Sequence, residues 1–415
     1  MARNRVIYQS QAVYCSQTAY NEPQIASGAI EPLQRVQSAN YSFSVARQDV
    51  NQFGELAAID RIIIDTPTVS FDTSYYVANL CNEKLLGFRV APSGSSATTM
   101  TSCISDIIDS STAANQKNYY VLTTAEGSDA TDLRATGKYE SIIGIGNGFI
   151  TSYNTEAAVG GLPTASISIE GQNMNFVNMP YLDSGVNNTD AGLGFRFGTV
   201  NGVSNQLTYI SGESPAVNAE DGVMVRDIVA ADGGGNQSGY AALPVYSGNS
   251  TLTGAGTISS LRPGDITLTL VEHTEGSTLN DALMNTAATA DDVLLGADIK
   301  DAHIQSYNIS FDLSRTPIDR LGSRFAFARV VDFPITASLS VDAVLADLTS
   351  GNIAEYINCD KSYDAIIKMR GANNCVSDLA NKPIVAAICM RKIKLDSESF
   401  TSSIGDNKSV TLDFS

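Results

Sequence analysis

Two stretches of the chain alternate apolar and polar residues with the period of two that a β-strand buried on one face produces. Residues 39–45 read ANYSFSV, and residues 307–314 read YNISFDLS. A third alternating run, residues 69–77 (VSFDTSYYV), follows a proline, which belongs at the start or edge of a strand. In all three runs the polar side carries small hydroxyl, amide or carboxyl groups. The pattern therefore predicts sheets with one apolar and one polar face.

The order of features in residues 36–75 returns in residues 304–341. Gln37 corresponds to Gln305, Arg47 to Arg315, and Arg61 to Arg329, an offset of 268 residues. Two further blocks match in the same order: 139–146 (YESIIGIG) with 363–370 (YDAIIKMR), and 158–170 with 403–415. Because this period is far too long for a solenoid repeat, the sequence predicts a duplicated domain.

The matched blocks predict a first domain over 1–179 and a second over 262–415, with an insert over 180–261 between them. The remaining pattern predicts strands at 5–16, 62–64 and 327–331, and strand-like pieces in the insert at 193–200, 206–210 and 222–229. It predicts loops at 21–32, 48–54 and 316–322, a loop with a short helical piece at 93–111, and helices within 342–357.

Charge is distributed unevenly along the chain. The chain of 415 residues carries a formal net charge of −18, from 26 basic and 44 acidic residues. Residues 180–300 hold fourteen acidic residues against four basic ones, and thus −10 of that total. This balance argues against wrapping DNA, which needs rows of Lys and Arg. It predicts an acidic, solvated outer surface for the insert.

The sequence contains no pattern typical of a membrane span, a secretory signal or a disulfide framework. There is no run of eighteen apolar residues and no apolar segment near Met1, so we expect neither a membrane span nor a secretory signal, and assembly in a cytoplasm. The six cysteines lack CxxC spacing, and we expect small buried or half-buried thiols.

Catalytic and cofactor motifs are also missing, so we expect no enzyme, cofactor or metal site. His273 and His303 stand outside any metal-binding spacing and are expected at the surface. The glycines of residues 144–148 (GIGNG) lack the lysine and spacing of a phosphate loop and predict a strand ending in a turn. Residues 232–236 (DGGGN) lack the spaced acids of a calcium loop and predict a flexible loop.

Several pieces resemble the major tail tube proteins of long-tailed bacteriophages. They are residues 38–77 and 142–170 in the first repeat, and 262–268, 304–323 and the C-terminal KSVTLDFS in the second. The two repeats make up most of the chain. A duplicated tube domain is also a known form of that family.

The resemblance implies a mainly β chain with two tandem tube-type β-sandwich domains, each carrying a short helix and a long loop, plus the acidic β-rich insert. It implies a structural virion protein of the tail, assembled in the host cytoplasm into rings that stack as a channel for the genome. Two domains per chain imply trimeric rings with pseudo-sixfold symmetry. The implied partners are further copies of the chain, tape-measure, tail terminator and baseplate or tip proteins, and DNA that passes without specific binding.

Candidate surfaces follow from the polar strand faces and the loops. The lumen candidates are Asn40, Ser42, Ser44, Ser70, Asp72, Asn308, Ser310, Asp312, Ser338 and Ser340. The candidates for contacts between subunits or rings are Arg47, Asp49, Asn51, Phe53, Arg61, Arg315, Asp319, Leu321 and Arg329. The polar faces could equally meet outer solvent, and the arginines could equally pair with acids nearby in the same chain.

Two other interpretations remain open. One is a different virion component, such as a capsid decoration, baseplate or tube-initiator protein with a tube-like domain. The other is a carbohydrate-binding β-sandwich module, for which acids and Asn-rich loops would serve. Such modules usually present exposed aromatic platforms, whereas this chain has no Trp and its Tyr and Phe fall in alternating core positions.

Overall fold

The computed structural model describes residues 11–16, 30–64, 68–90, 102–108, 117–124, 139–171, 173–178, 196–197, 199–200, 203–204, 241–242, 261–273, 302–318, 321, 328–345, 362–371, 384–401 and 409–415. Strands dominate these residues, which confirms the predicted mainly β class.

The first half of the chain contains ten strands among its described residues, and two of them precede the first alternating run. In chain order they are β1 (Gln11–Ser16), β2 (Ile30–Pro32), β3 (Val36–Ser44), β4 (Arg47–Val50), β5 (Asp60–Ile63), β6 (Thr68–Tyr76), β7 (Lys117–Thr124), β8 (Tyr139–Ala158), β9 (Thr164–Gly171) and β10 (Asn173–Asn178). Two short helices, α1 (Cys81–Leu86) and α2 (Ser105–Ile108), lie between β6 and β7.

The insert shows two short strand pairs among its described residues, and the second half then adds a further set. The pairs are β11 (Arg196–Phe197) with β14 (Ala241–Ala242), and β12 (Thr199–Val200) with β13 (Val203–Ser204). The second half has a 3-10 turn (Pro263–Asp265) and strands β15 (Ile266–Glu272), β16 (Ala302–Asp312), β17 (Arg315–Ile318), β18 (Ala328–Val331), β19 (Ala337–Leu345), β20 (Tyr363–Arg370), β21 (Ile384–Ile393), β22 (Leu395–Thr401) and β23 (Ser409–Phe414).

One continuous sheet, called here the inner sheet, contains strands from both halves in the order β3-β6-β9-β8-β16-β19-β23-β22. All of its neighbouring strands are antiparallel. The halves join where the C-terminal part of β8 pairs with β16, with Tyr153 opposite Phe311. The two halves therefore share a single hydrogen-bonded layer.

Two outer sheets cover the apolar face of the inner sheet. The first has the order β2-β1-β7-β8-β10 and uses the N-terminal part of β8, and the second has the order β15-β20-β21. Ring contacts cross between the layers, from Phe71 on β6 to Tyr119 on β7 and from Tyr363 on β20 to Phe414 on β23. Buried apolar side chains from both halves form one core cluster.

The two halves follow the same pairing scheme with the same irregularities. Asn40 lies opposite Asp72, and Asn308 lies opposite Ser340, so the β3/β6 register recurs in β16/β19 at the offset of 268 residues. Each of these ladders has a bulge at the corresponding glutamine, Gln37 or Gln305. A bulge is a local, position-specific feature. Its recurrence supports the duplication inferred from the sequence.

The strand order corrects one of the sequence matches. β20 (Tyr363–Arg370) lies between β15 and β21, as β7 lies between β1 and β8, so β20 corresponds to β7 and not to residues 139–146. The sequence match arose because central strands covered by a core carry nearly continuous apolar runs, and such runs on different strands resemble each other. Residues 139–146 instead correspond to β21.

Four local predictions were wrong in whole or in part. Residues 48–50 and 316–318, predicted as loops, belong to strands β4 and β17 of two hairpins, β4/β5 and β17/β18. Residues 342–345, predicted as helix, continue β19, and residues 346–357 lie outside the described part. β8 runs straight through residues 144–148, where a Cβ on Gly148 would lie 2.7 Å from the Tyr119 ring, so the glycine permits close packing and marks no turn.

The remaining segment predictions had mixed outcomes. The strand predicted at 5–16 is seen from Gln11 onward, and Ile30–Pro32 forms β2 inside the loop predicted at 21–32. The helical piece predicted within 93–111 matches α2. The strand pieces predicted at 206–210 and 222–229, and the loop at 232–236, lie outside the described residues.

A buried carboxyl group attaches α1 to the inner sheet. Glu83 Oε1 accepts hydrogen bonds from the hydroxyls of Tyr75 on β6 (2.9 Å) and Tyr153 on β8 (3.1 Å). Burial of this side chain raises the pKa of Glu83 to about 7, against the lowering effect of its hydrogen bonds. Nothing in the sequence indicated this residue, because a glutamate on a short helix usually faces water.

The pH dependence of unfolding tests the buried state of Glu83. Its folded pKa lies above its unfolded value, so the protonated group stabilises the fold below about pH 4.5, and this contribution is lost as pH rises through 7. A shift of one pKa unit corresponds to about 1.4 kcal/mol. We expect the unfolding free energy of the wild type to fall from pH 5 to pH 8 relative to that of Glu83→Gln. Glu55→Gln, at an exposed site, is the control and should follow the wild type.

Candidate assembly surface

The inner sheet turns one polar face away from the core, and all ten lumen candidates lie on it. Asn40, Ser42 and Ser44 on β3 face Ser70 and Asp72 on β6 through the strand register. Asn308, Ser310 and Asp312 on β16 and Ser338 and Ser340 on β19 form the corresponding set. Whether this face lines a channel stays a prediction.

Sequence reasoning missed the other strands that extend this polar face. These strands add Ser152, Asn154, Glu156, Thr164, Ser166, Ser168, Ser397, Ser399, Thr401, Thr411 and Asp413, and β19 itself adds Asp342. Alternation in residues 164–170 (TASISIE) and 409–414 (SVTLDF) was a visible signal for two of these strands. The face therefore crosses every strand of the inner sheet.

Hydroxyl and carboxylate groups form cross-strand hydrogen bonds along the polar face. The Oγ atoms of Ser42 and Ser70 lie 2.6 Å apart, and those of the corresponding pair, Ser310 and Ser338, lie 2.8 Å apart. Ser340 and Ser397 donate to the two carboxylate oxygens of Asp413 at 2.6 and 2.7 Å. These two donors lower the pKa of Asp413, which keeps the group ionised.

The polar face carries acidic but no basic side chains among its described positions. Its acidic members away from the sheet ends are Asp72, Glu156, Asp342 and Asp413. Glu170, at the end of β9, pairs with Arg329 on β18. A surface of this composition is hydrated and repels phosphate weakly, and it lacks the cations that bind a nucleic-acid backbone.

The inner sheet ends in two strand edges. Within the described residues β3 pairs only with β6, and β22 pairs only with β23. Both edge strands carry exposed bulky side chains on the core side, namely Phe43 on β3 at 60% and Phe400 on β22 at 47% relative exposure. An exposed edge with apolar side chains is a surface for strand pairing with another chain.

The second hairpin (β17/β18) docks on the first half of the chain. Arg315 Nη2 donates to the carbonyl oxygen of Ile107 at 2.8 Å, and its guanidinium carbon lies 4.6 Å from the ring centre of Phe149. Burial, and then the neighbouring guanidinium of Arg329, lower the pKa of Arg315 to about 10. The side chain of Arg329 is only 3% exposed where it pairs with Glu170.

The first hairpin (β4/β5) is exposed instead. Arg61 pairs with Asp49 at 2.9 Å on the hairpin itself, and both side chains are more than half exposed. Arg47 and Asn51 are exposed as well. The apolar side chains exposed on this hairpin and its turn are Phe53, Leu56, Ile59, Ile62, Ile63 and Ile64. Contiguous exposed apolar patches are typical of contact sites in proteins.

The interface candidates therefore fall into unlike environments. Those of the first hairpin are open to solvent, while Arg315 and Arg329 already contact the first half of the same chain. Leu321 is fully exposed at its hairpin turn, and Asp319 lies outside the described residues. Their role between subunits or rings stays a prediction.

Comparisons with solved structures find likenesses to phage-related proteins. A subunit of the SPP1 tail tube aligns at 14% identity with a TM-score of 0.25, covering 42% of this chain and 80% of that one. A chain of the anti-feeding prophage baseplate aligns at 10% identity with a TM-score of 0.25, covering 42% of this chain and 97% of that one. No family model matches the sequence, and no curated protein matches it. At these scores the likeness assigns no function.

His273 was wrongly predicted at the surface. Its side chain is 4% exposed, and Nδ1 lies 2.9 Å from an Asp364 carboxylate oxygen that also accepts from the backbone nitrogen of Lys392. The side chain of His303 lies outside the described part. No disulfide joins the four cysteines that are described, of which Cys15 is buried and Cys103 exposed.

The described part of the chain contains no group of His, Cys, Asp and Glu suited to a metal ion. None of its helices is long and apolar enough to span a membrane.

The two hairpins offer a matched pair of substitutions. Arg329→Ala leaves Glu170 without its buried partner, and we expect a loss of about 1–3 kcal/mol in unfolding free energy. Arg61→Ala, at the corresponding position, breaks a solvent-exposed pair and should cost below about 1 kcal/mol. Denaturant unfolding of the unassembled chain measures both. Equal losses would contradict the docking of the second hairpin.

Proposed function

We propose that this chain is a structural protein of a phage tail, and that it assembles into rings which stack into a tube for genome passage. The observation that carries the proposal is the junction between β8 and β16. It joins two corresponding four-stranded units of the inner sheet head to tail: the first unit is β3-β6-β9-β8 and the second is β16-β19-β23-β22. The outer edges of the sheet are then the first strand of the first unit, β3, and the last strand of the second unit, β22.

The outer edges of β3 and β22, which pair with no further strand among the described residues, supply the mechanism of assembly. β22 is the last strand of the second unit, as β8 is the last strand of the first. β3 is the first strand of the first unit, as β16 is the first strand of the second. Repeating the internal junction between chains would therefore pair β22 of one chain with β3 of the next. Such head-to-tail contacts close into a ring when the rotation permits, and closure removes both edges of the inner sheet.

The number of chains in the ring follows from the sequence resemblance. Most rings in the family that the sequence resembles are hexamers of single-domain subunits, so a chain that contributes two units should close as a trimer with pseudo-sixfold symmetry. The matching registers and bulges of the two units support this count, since each unit presents the same geometry to its neighbour.

In such a ring the polar face would line the channel, because the outer sheets occupy the opposite face. Hydroxyl groups hold water, and the carboxylates of Asp72, Asp342 and Asp413 repel phosphate, so DNA could slide without being retained. The exposed apolar hairpin β4/β5 would contact other subunits or rings. Tape-measure, terminator and baseplate or tip proteins would be the partners, in a virion tail assembled in the host cytoplasm.

Electron microscopy with an edge variant tests the assembly. Phe311 and Tyr153 form a hydrogen-bonded pair across the internal junction, so the backbone N–H of Phe311 points toward β8 and away from β19. Phe43 corresponds to Phe311, and its backbone N–H therefore points away from β6, toward the open edge. Phe43→Pro removes this donor and leaves the β3/β6 ladder intact.

We expect rings or tubes with threefold averages from the wild type and folded, unassembled chains from Phe43→Pro. Phe43→Ala keeps the donor and serves as the control for the lost side chain. A wild type that stays monomeric at all salt concentrations contradicts the proposal, and six whole chains in a ring contradict the trimer.

A charge reversal tests the channel surface. Asp72→Lys would place one cation per chain on the polar face, and we expect assembled tubes of this variant to retain short double-stranded DNA in low salt and release it in high salt. Asp106→Lys makes the same charge change on α2. The control and the wild type should retain little DNA. Equal retention by both variants would place the polar face outside the channel.

A further inference from the structure

We infer the residue register of the seam between neighbouring chains: β3 pairs antiparallel with β22 of the next chain, with Ser42 opposite Ser399 and Ser44 opposite Ser397. This inference rests on the proposed ring assembly and adds to it which atoms meet. It uses the internal junction as a template, together with the correspondence between the strands on either side of it.

The correspondence of β22 with the C-terminal part of β8 is fixed by a shared bulge. β8 pairs with β9 through Ile150 and Ser152, and Thr151 is skipped in the register. β22 pairs with β23 through Leu395 and Ser397, and Asp396 is skipped in the same way. Ser152 thus corresponds to Ser397, and Asn154 to Ser399. The neighbouring strands agree, because Ile167 lies opposite Tyr153 and Leu412 opposite Glu398.

The correspondence of β3 with β16 is fixed by the register against β6 and β19. Ser42 lies opposite Ser70 and Ser310 opposite Ser338, and the two serine pairs make the same hydroxyl contact. In the internal junction Ser310 lies opposite Asn154, and Asp312 lies opposite Ser152. Replacing each residue by its counterpart places Ser42 opposite Ser399, and Ser44 opposite Ser397.

The distance between opposite residues depends on whether they form a hydrogen-bonded or a non-hydrogen-bonded pair of the antiparallel ladder. Leu313 N donates to Thr151 O, and Val159 N donates to Gln305 O, at the two ends of the junction. Alternate pairs between these ends are hydrogen-bonded, and the polar-face pairs are the non-hydrogen-bonded ones. Their Cα atoms are expected about 4.5 Å apart, which lies within the range that a disulfide can bridge.

The seam and the internal junction differ on the core side. Internally, Phe311 stacks on Tyr153 with ring centres 5.3 Å apart. At the seam Phe43 takes the place of Phe311, and Glu398 takes the place of Tyr153. The aromatic contact is therefore lost at the seam, while the backbone ladder and polar-face pairs remain. Rings should come apart at the seams into whole, folded chains.

Cysteine cross-linking of the full-length chain tests the register. Ser42→Cys with Ser399→Cys should give, after mild oxidation of assembled rings, an interchain disulfide and a non-reducing gel ladder that ends at the closed ring. Ser44→Cys with Ser399→Cys shifts the pair by two residues to a diagonal separation of about 7–8 Å, and should cross-link about tenfold less.

Three controls separate the register from other causes. Asn154→Cys with Ser310→Cys places the same pair at the internal junction and should form an intrachain disulfide. The single variants Ser42→Cys and Ser399→Cys report cross-links made by the native cysteines.

The outcomes of this experiment distinguish the register from the assembly itself. Rings in which the diagonal pair cross-links better overturn the register and leave the assembly standing. Rings in which neither pair cross-links, while the internal control does, overturn the seam between β3 and β22. A wild type without rings overturns the proposed function.

Discussion

The backbone groups at the ends of a sheet must find hydrogen-bond partners, and this requirement shapes the whole chain. Inside the chain it is met where β8 pairs with β16, so that two similar units become one eight-stranded layer. At β3 and β22 no strand of the described residues meets it. Because the two units share one pairing scheme, the internal junction is a template for pairing at the outer ends. In the proposed assembly, the pairing that holds the two halves together would continue between chains.

The division of the inner sheet into an apolar and a polar face is the second constraint. The apolar face is covered by outer sheets from both halves, through contacts such as Phe71 with Tyr119. The polar face is linked across strands by short hydrogen bonds between hydroxyl groups, and between hydroxyl and carboxylate groups. Close-packed hydrophobic contacts stabilise the fold on one side, and hydration governs the other.

The sequence predicted those features that depend on local periodicity. Alternation placed Asn40, Ser42 and their counterparts on one face, and the repeat offset anticipated that β3/β6 and β16/β19 share a register. It could not assign β20, because β20 and the N-terminal part of β8 carry similar apolar runs that only tertiary pairing distinguishes. Glu83 and His273 were missed for a related reason. Their burial depends on Tyr75 and Asp364, and no local pattern encodes such partners.

The unequal hairpins show what a neighbouring unit contributes. Arg315 and Arg329 are withdrawn from water because the first half lies beside them and offers Phe149, a carbonyl oxygen and Glu170. Arg47 and Arg61 stand at the corresponding positions and remain exposed, together with the isoleucines of β5 and the turn. The same sequence features thus appear in a docked and an undocked state within one chain. In the proposed assembly, the exposed apolar surface of the first hairpin would contact another copy of the chain, as the second hairpin contacts the first half.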